Sequence, residues 1–342
     1  MSKEYTVHEL KLQKQTLAAL ESAGIYYIKD ILLYSPTRLA EITGLSKETC
    51  EKILDKAIEF LDQHRKRFMP IAELEKTSEK KRFMSTGAHA LNRLLQGGWC
   101  VGEVTELAGP YGSGKSQACF TALATVFLPS MSQKEIQEIL QETEQGEARK
   151  GNQKEHWGLN DGDISAVIID SERTFSVNRF KKIIKRFNLD EKEVMKRIII
   201  SRPENAWDQK RIIESLVSVV RENNAKLVVV DSLTKLPRAD FSGQGELYAR
   251  QRLILDMAEK LRRIAINYEA VVLVTNQVVA SVGTIGLGFK PTGGHVLGHT
   301  VDTRLLLVRA TDPYRRVSII DSSWLPPGEC KIKITDEGIA DA

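Results

Sequence analysis

A stretch of eight residues, Gly109 to Ser116, has the composition and spacing of a loop that binds phosphate. It fits the pattern G-x-x-x-x-G-K-[ST] and lies between an apolar run at 104–108 and a helical pattern at 117–128. Glycines allow backbone N–H groups to close around phosphate oxygens, and the N-terminal end of the following helix attracts the same anion. This strand–loop–helix context predicts a nucleoside triphosphate site rather than a plain glycine turn. The predicted contacts are Gly109, Pro110, Tyr111, Gly112, Ser113, Gly114, Lys115, Ser116 and Gln117.

Two side chains of this loop carry the expected chemistry. Lys115 can reach the β- and γ-phosphates of ATP, and the Ser116 hydroxyl can ligate Mg²⁺. A second Mg²⁺ ligand is expected at Asp231, which ends the apolar run 227–230. A carboxylate that a buried strand delivers to the edge of the sheet is the usual partner of such a loop. ATP and Mg²⁺ are therefore the predicted cofactors.

Two further apolar runs end in side chains suited to positioning a water molecule. The first ends near Glu172 and the second at Gln277. Hydrolysis of ATP needs a group that orients and deprotonates a water in line with the γ-phosphate, and Glu172 is the candidate base. Gln277 can hydrogen-bond the γ-phosphate or that water, and so report its presence to the loop that follows. The alternatives are a helix-capping or solvated acid at Glu172 and a simple strand-terminating polar residue at Gln277.

These side chains need a sheet whose strands run in the same direction. From residue 85 onward, apolar strands alternate with amphipathic helices, which is typical of an α/β domain with a mainly parallel central sheet. Ligands bind at the carboxyl ends of such strands. Residues 130–163 are rich in Gln, Glu and Lys and predict an exposed insertion with little buried surface and a helix at 133–144. The expected strands are 104–108, 166–170, 198–201, 227–231, 271–275 and 305–308.

The N-terminal residues 1–64 have a different pattern. Helix-type spacing around glycine turns, with Ser35 and Pro36 at a helix start, predicts a small all-helical domain. Its helix–turn–helix order is that of helix-hairpin-helix modules, which bind nucleic-acid phosphates, and a protein-docking bundle is the alternative. Residues 65–84 are polar and predict a linker before the core domain at 85–342.

Composition limits the classes of protein to which the chain can belong. A length of 342 residues suggests about two domains, and 42% hydrophobic with 27% charged residues is ordinary for a globular protein. The net charge of +4 neither requires nor excludes a nucleic-acid partner. The four cysteines form no CxxC pair, so we expect no zinc site or disulfide framework and a reducing, intracellular location. There is no apolar run long enough to predict a membrane span.

The order of these motifs resembles that of the RecA-type recombinases. The phosphate loop is followed by the strand that ends in Asp170-Ser171-Glu172 and then by the strand that ends at Asp231. Two further stretches come after them: 241–251, Phe-Ser-Gly-Gln-Gly-Glu-Leu-Tyr-Ala-Arg-Gln, and 276–280, Asn-Gln-Val-Val-Ala. Nearly the whole chain is similar to the archaeal RadA branch and its eukaryotic counterparts. The resemblance implies a RecA-like, DNA-dependent ATPase core. Such proteins form helical filaments on single-stranded DNA and exchange strands with a duplex in homologous recombination and repair.

The resemblance also implies roles at the nucleotide. It makes Glu172 the catalytic base, Asp231 the acid of the metal shell and Gln277 the sensor of the γ-phosphate. It assigns Arg179 to stacking on the adenine, a planar cation on a π face. The nucleotide is expected between neighbouring subunits.

DNA binding and self-association are implied for other parts of the chain. The implied DNA contacts lie in two loops, 238–250 and 278–294, and are Arg238, Gln244, Arg250, Lys290 and Gly293. An aromatic hook that fills a pocket on the adjacent subunit is implied at Phe68, Ile71 and Ala72, and a linker residue packed on its own domain is the alternative for Phe68. The expected partners are single- and double-stranded DNA, further copies of the chain in a filament or ring, and recombination mediators, with no membrane.

Several positions depart from the family pattern. Arg173 replaces the glycine after the catalytic acid, which puts a bulky cation beside the reacting water, and Gln244 removes one phosphate contact. Leu287 and Gly288 stand where an acidic-proline element caps the neighbour's ATP. Two alternatives therefore stay open: a paralogue that binds ATP as a regulatory partner without strand exchange, and a ring-shaped helicase of the same core fold. The expected location is the archaeal cytoplasm with its nucleoid, or the eukaryotic nucleus.

Overall fold

The computed structural model describes residues 4–64, 70–73, 81–144, 156–243, 245–280, 289–292 and 297–342. The chain divides into two compact units, residues 1–80 and 81–342, and each has its own buried apolar core. Unit 2 begins at residue 81 rather than at the predicted 85, because the buried Phe83 and Met84 pair with Cys100 and Trp99. Across the described ranges, no helix combines the length and apolarity that a membrane crossing requires.

Unit 1 is built from helices on a shared apolar core. The Ser35 hydroxyl accepts a hydrogen bond from the Arg38 N–H, and Pro36 takes the first helical position after this cap, as the sequence predicts. Leu20 and Ile53 are among its buried side chains. After a 3-10 turn at Val7–Leu10, the helices are α1 (Lys14–Ser22), α2 (Ile28–Ile31), α3 (Pro36–Thr43) and α4 (Lys47–His64).

Unit 2 alternates strands and helices, and all of the predicted strands are present. Its helices are α5 (His89–Leu94), α6 (Lys115–Thr125), α7 (Gln133–Glu144), α8 (Val177–Arg186), α9 (Glu191–Lys196), α10 (Ala206–Glu222), α11 (Lys235–Asp240) and α12 (Leu247–Tyr268). Its strands are β1 (Phe83–Met84), β2 (Trp99–Cys100), β3 (Val104–Ala108), β4 (Ser165–Asp170), β5 (Ile198–Ser201), β6 (Ala225–Asp231), β7 (Val271–Asn276), β8 (Val278–Ala280), β9 (Phe289–Pro291), β10 (Thr303–Arg309), β11 (Tyr314–Ser322), β12 (Glu329–Thr335) and β13 (Gly338–Asp341).

Within the described residues, nine of these strands form one sheet in the order β13-β12-β11-β10-β3-β7-β6-β4-β5. Neighbours from β10 to β5 are parallel, and neighbours from β10 to β13 are antiparallel. The expected α/β core with a mainly parallel sheet is confirmed. Two short antiparallel pairs, β1–β2 and β8–β9, lie outside this sheet.

The central strands are buried along their length, which explains their continuous apolar runs. β3, β7, β6 and β4 are neighbours and run in the same direction, so their carboxyl ends meet at one edge of the sheet. Asp170 pairs in register with Asp231, and Ala108 with Asn276. The ends of these strands are therefore brought together, and Asn276 of β7 donates a hydrogen bond to Glu106 of β3, 170 positions away in the chain.

The prediction of an exposed insertion with little buried surface at 130–163 holds only in part for the described residues of that range, because exposed positions alternate with buried ones. α7 forms where it was expected, but Ile136 and Leu140 on one of its faces are buried. Trp157 is completely buried and donates its indole N–H to the Gly97 carbonyl at 3.0 Å. The high Gln and Glu content of the segment concealed an apolar stripe with a spacing of four residues, which is enough to dock a helix.

His156, beside this tryptophan, is expected to make the stability of unit 2 depend on pH. Its ring stacks on His89 with centroids 4.7 Å apart, and its Nδ1 lies 2.9 Å from the Ser85 Oγ. Burial, together with His89 and Arg186, lowers the pKa of His156 from 6.5 to about 3. Between these values the unfolded chain binds a proton that the folded chain does not. The free energy of unfolding therefore falls as the pH drops from 6.5 toward 3, by up to about 1.4 kcal/mol per pH unit.

The measurement is urea unfolding between about pH 7 and about pH 4, followed by tryptophan emission, because all four tryptophans lie in unit 2. His156→Asn cannot take up this proton, so its stability should fall less steeply toward acid pH. His64→Asn in unit 1 is the control and should keep the wild-type slope. Equal slopes for wild type and His156→Asn would contradict the assignment.

Candidate nucleotide and DNA site

The carboxyl ends of β3, β4, β6 and β7 surround a cleft of about 280 Å³. It brings together the side chains that the sequence predicts for ATP hydrolysis, which come from separate parts of the chain. The residues that line it are Tyr111, Gly112, Ser113, Gly114, Lys115, Ser116, Gln117, Phe120, Glu172, Thr174, Asp231, Thr275, Gln277, Arg315 and Ile334.

The phosphate loop adopts a conformation that depends on glycine. Gly114 has a φ of 98°, in the left-handed region, and a Cβ there would lie 2.7 Å from Ile334 Cδ1. α6 begins at the next residue, so the unpaired N–H groups of its first turn lie at the cleft. Both features are those of an anion-binding loop.

Lys115 is held within this loop by backbone carbonyls. Its Nζ donates to the carbonyl oxygens of Gly109 at 2.7 Å and Pro110 at 2.9 Å. Burial lowers the pKa of Lys115, and the carboxylates of Asp231 and Glu172 oppose that shift. An ammonium in this position can exchange its carbonyl contacts for phosphate oxygens, which accept stronger hydrogen bonds from a cation.

Asp231 and Ser116 meet on the floor of the cleft, and the fit of a divalent cation rests on them. Thr275 Oγ1 donates to Asp231 Oδ1 at 2.5 Å. The pKa of Asp231 is raised because the carboxyl is buried. Hydrogen bonds from Thr275 and Ser116 oppose this shift without reversing it. No donor among the described residues contacts the buried Asp231 Oδ2. A buried carboxylate oxygen that lacks a partner beside a hydroxyl is the donor set that Mg²⁺ binds through oxygen and water.

Glu172 and Gln277 are in contact at the mouth of the cleft. Gln277 Nε2 lies 3.4 Å from Glu172 Oε1, and Gln277 Oε1 accepts a hydrogen bond from Arg238 at 2.7 Å. The Lys235 ammonium lies 3.2 Å from Glu172 Oε2. A continuous series of side-chain contacts, Arg238–Gln277–Glu172, therefore runs from α11 to the candidate base.

Arg173 occupies the position where the family pattern has glycine. Its φ of 56° is in the left-handed region, which accounts for the glycine in the pattern. Its guanidinium contacts Glu204 at 2.6 Å, and the residue is not among those that line the cleft. The expectation that this cation lies beside the reacting water stays a prediction.

The free energy of unfolding of Arg173→Gly is expected to be about 1 kcal/mol higher than that of Arg173→Ala. The left-handed backbone at position 173 destabilises a folded protein with alanine there, but not one with glycine. Both variants lose the exposed pair with Glu204, so this loss cancels in the comparison. Urea unfolding of the two proteins at pH 7 measures the difference. An alanine variant as stable as the glycine variant would show that the local backbone relaxes without cost.

The predicted DNA-binding and hook residues are only partly described. Phe68, Gln244 and Gly293 lie outside the described residues, and Lys290 is placed only by its backbone, in β9 opposite Val279. Arg250 donates to the Phe241 carbonyl at 3.3 Å. Ile71 is 83% exposed, and Ala72 is exposed beside it. Their roles stay predictions.

Sequence reasoning missed Arg315 and did not anticipate the contacts of Arg179. Arg315 lines the cleft, where its Nε donates to the Gly112 carbonyl at 3.1 Å. It lies in β11, in the antiparallel half of the sheet, and no local motif marks an arginine in such a strand. Arg179, predicted to stack on adenine, donates to the Thr335 carbonyl at 2.6 Å and does not line the cleft. Its role stays a prediction.

A phosphate loop at the carboxyl edge of a mainly parallel sheet, surrounded by acidic and amide strand ends, defines a nucleotide-binding α/β protein with a RecA-like core. Comparison with known families agrees with this class. Residues 79–145 and 154–342 match the family model described as Rad51. The chain belongs to this family, and the predicted membership of the RecA-type recombinases is confirmed.

Individual relatives match nearly the full length of the chain. It is 30% identical over 344 residues to the DNA repair protein RAD51 of Saccharomyces cerevisiae, which covers 98% of this chain and 78% of the relative. It is 31% identical over 327 residues to the DNA repair protein RAD51 homolog 1 of Arabidopsis thaliana, with 94% and 86% covered. The DNA repair and recombination protein RadA of Cenarchaeum symbiosum is 32% identical over 330 residues, with 95% and 76% covered.

Proposed function

We propose that this chain is an ATP-dependent DNA strand-exchange recombinase that forms helical filaments on single-stranded DNA. The observation that carries the proposal is the contact series Arg238–Gln277–Glu172, because it joins a predicted DNA-binding arginine to the candidate base of ATP hydrolysis. The similarity to proteins named for DNA repair and recombination supports the same function. The proposed location is the nucleoid of an archaeal cell or the nucleus of a eukaryotic cell.

Each of these residues of the cleft would have its own role in ATP hydrolysis. Lys115 would bind the β- and γ-phosphates, and Ser116 with Asp231 would hold Mg²⁺, which neutralises charge on the phosphates when it is bound. Glu172 would accept the proton of the attacking water, and Gln277 would hold that water or a γ-phosphate oxygen. Each group already lies on the cleft, so little rearrangement is needed for the reaction.

DNA binding would affect ATP hydrolysis through Gln277, because Gln277 contacts both Arg238 and Glu172. A DNA phosphate that attracts the Arg238 guanidinium would compete with Gln277 Oε1 for it, because a charged acceptor makes the stronger hydrogen bond. Release of Gln277 would leave its amide available to the γ-phosphate and change its contact with Glu172. DNA binding would thereby shift the hydrolytic site between two arrangements.

Binding to DNA would rest on phosphate contacts from Arg238, Arg250 and Lys290, and would therefore be sensitive to salt and tolerant of sequence. Self-association would use the predicted hook around Phe68, with the exposed Ile71 as part of its apolar surface. The partners are then single- and double-stranded DNA, further copies of the chain and recombination mediators.

The test measures the ATPase rate with and without single-stranded DNA and images the same samples by electron microscopy. We expect DNA to stimulate turnover and helical polymers to form when ATP and DNA are present. ATP binding without stimulation and without polymers would contradict strand exchange and favour the regulatory paralogue. Closed rings in place of helical polymers would favour the helicase.

A further inference from the structure

Trp207 is unusual among the four tryptophans of the chain because it is exposed. Its residue exposure is 59%, whereas Trp99 and Trp157 are completely buried. The ring of Trp324 is covered by the Lys81 ammonium, 3.8 Å from its centroid. A large aromatic ring exposed in the first turn of a helix offers an apolar face to a ligand, and it becomes a candidate binding surface when a second ring lies beside it.

Trp207 lies beside Phe241, and we call these two rings the Trp207 platform. Their centroids are 6.1 Å apart, and their planes meet at 62°, in an edge-to-face arrangement. The Ala206 N–H donates to Asp240 Oδ2 at 2.7 Å, which ties the start of α10 to the end of α11. The two rings therefore keep a fixed relation although they come from different elements.

Cations flank the Trp207 platform. The Lys210 ammonium lies 5.8 Å from the centroid of the Trp207 ring, and the Arg250 guanidinium donates to the Phe241 carbonyl at 3.3 Å. Arg238 lies on α11, the helix that ends next to Phe241. An aromatic face bordered by cations is complementary to a chain of bases and phosphates.

Nearby acidic side chains are engaged in contacts of their own. Asp256 lies 3.5 Å from the Lys210 ammonium and 3.1 Å from the Arg252 guanidinium. Asp208 accepts a hydrogen bond from the Glu204 N–H at 2.9 Å. The charge of Asp256 is thus paired with two cations, and the Asp208 carboxylate is held by a backbone N–H.

We propose that the Trp207 platform stacks an unpaired base of single-stranded DNA while Lys210 and Arg250 contact the adjoining phosphates. The inference rests on the proposed function and deepens it, because Trp207 lies outside both predicted DNA-binding loops. A single strand fits better than a duplex, since its bases present their faces and every base has a π face. The contact would add affinity without adding sequence preference.

The test uses the full-length protein, ATP and a fluorescein-labelled oligo(dT), with two readouts. Anisotropy of the label measures binding, and tryptophan emission with unlabelled oligo(dT) measures stacking. Trp207→Ala should weaken apparent affinity about 5- to 150-fold, the range for loss of one base–aromatic stack. Trp207→Phe should bind within about twofold of wild type, because it keeps an aromatic face, yet lose the quenching of emission by DNA. Ile266→Ala is the control for loss of an exposed apolar side chain, about 24 Å along α12 from Arg250.

The outcomes separate this proposal from the function on which it rests. Absence of DNA binding by the wild type contradicts the proposed recombinase itself. DNA binding by Trp207→Ala equal to that of the wild type, or no quenching in the wild type, overturns only the platform. The alternative role for an exposed ring is a contact with another copy of the chain. Light scattering with ATP and no DNA tests this alternative. Loss of self-assembly in Trp207→Ala under these conditions would assign Trp207 to a protein contact and overturn base stacking.

Discussion

Lys115→Ala is expected to lower ATP turnover by about 10²–10³-fold, the cost of removing one preorganised donor to developing charge. ATP affinity should fall as well, because the ammonium that would bind the phosphates is lost, and the guanidinium of Arg315 on the same cleft is held by the Gly112 carbonyl. DNA-dependent behaviour that requires ATP should be lost with it. Isothermal titration with a non-hydrolysable ATP analogue and steady-state phosphate release measure the two effects separately.

Two further variants make the Lys115 result specific. Lys115→Arg keeps the positive charge but carries a larger, planar head, so it should recover binding only in part. Lys134→Ala removes a lysine of α7 whose side chain is 88% exposed and should leave both measurements unchanged. The nucleotide-free Lys115→Ala protein should fold normally, because burial already disfavours the ammonium there. Nucleotide affinity at the wild-type level in Lys115→Ala would refute the phosphate-loop assignment.

The nucleotide cleft was accessible to sequence reasoning because parallel strands impose it. Once the runs before Lys115, Glu172, Asp231 and Gln277 are recognised as parallel strands, their carboxyl ends must lie on one edge of the sheet. The structure places all four on one cleft. Strand order was not needed for this prediction, since any order that keeps these strands adjacent gives the same cluster.

Other features could not be predicted because they depend on tertiary contacts. Arg315 reaches the phosphate loop from a strand 203 positions away, a pairing that no local pattern encodes. Trp157 and Ile136 are buried in a segment whose average composition is polar, because two or three apolar residues on one face are enough to dock a helix. The direction of the Arg173 side chain follows from its partner Glu204, which belongs to a different loop.

Glu172→Gln is expected to lower the rate of ATP hydrolysis by about 10²–10⁴-fold, the range for loss of a positioned general base. The amide has almost the same shape as the carboxylate, so the fold and the binding of ATP should be kept. A filament that binds ATP but does not hydrolyse it should stay on DNA. Dissociation from labelled oligonucleotide after dilution should therefore be slower than in the wild type, while the ATP-dependent binding step is unchanged.

Glu172→Gln removes both the proton acceptor and the ion pair with Lys235, so the two effects have to be measured separately. Lys235→Gln removes that pair but keeps the carboxylate, so it should retain most of the hydrolysis. Glu204→Gln makes the same chemical change on the acid that pairs with Arg173, and its turnover should stay within about twofold of wild type, as expected for an exposed pair. If Glu172→Gln hydrolysed ATP as fast as the wild type, the water would have to be activated elsewhere. The contact series Arg238–Gln277–Glu172 would then end on a residue that takes no part in the reaction.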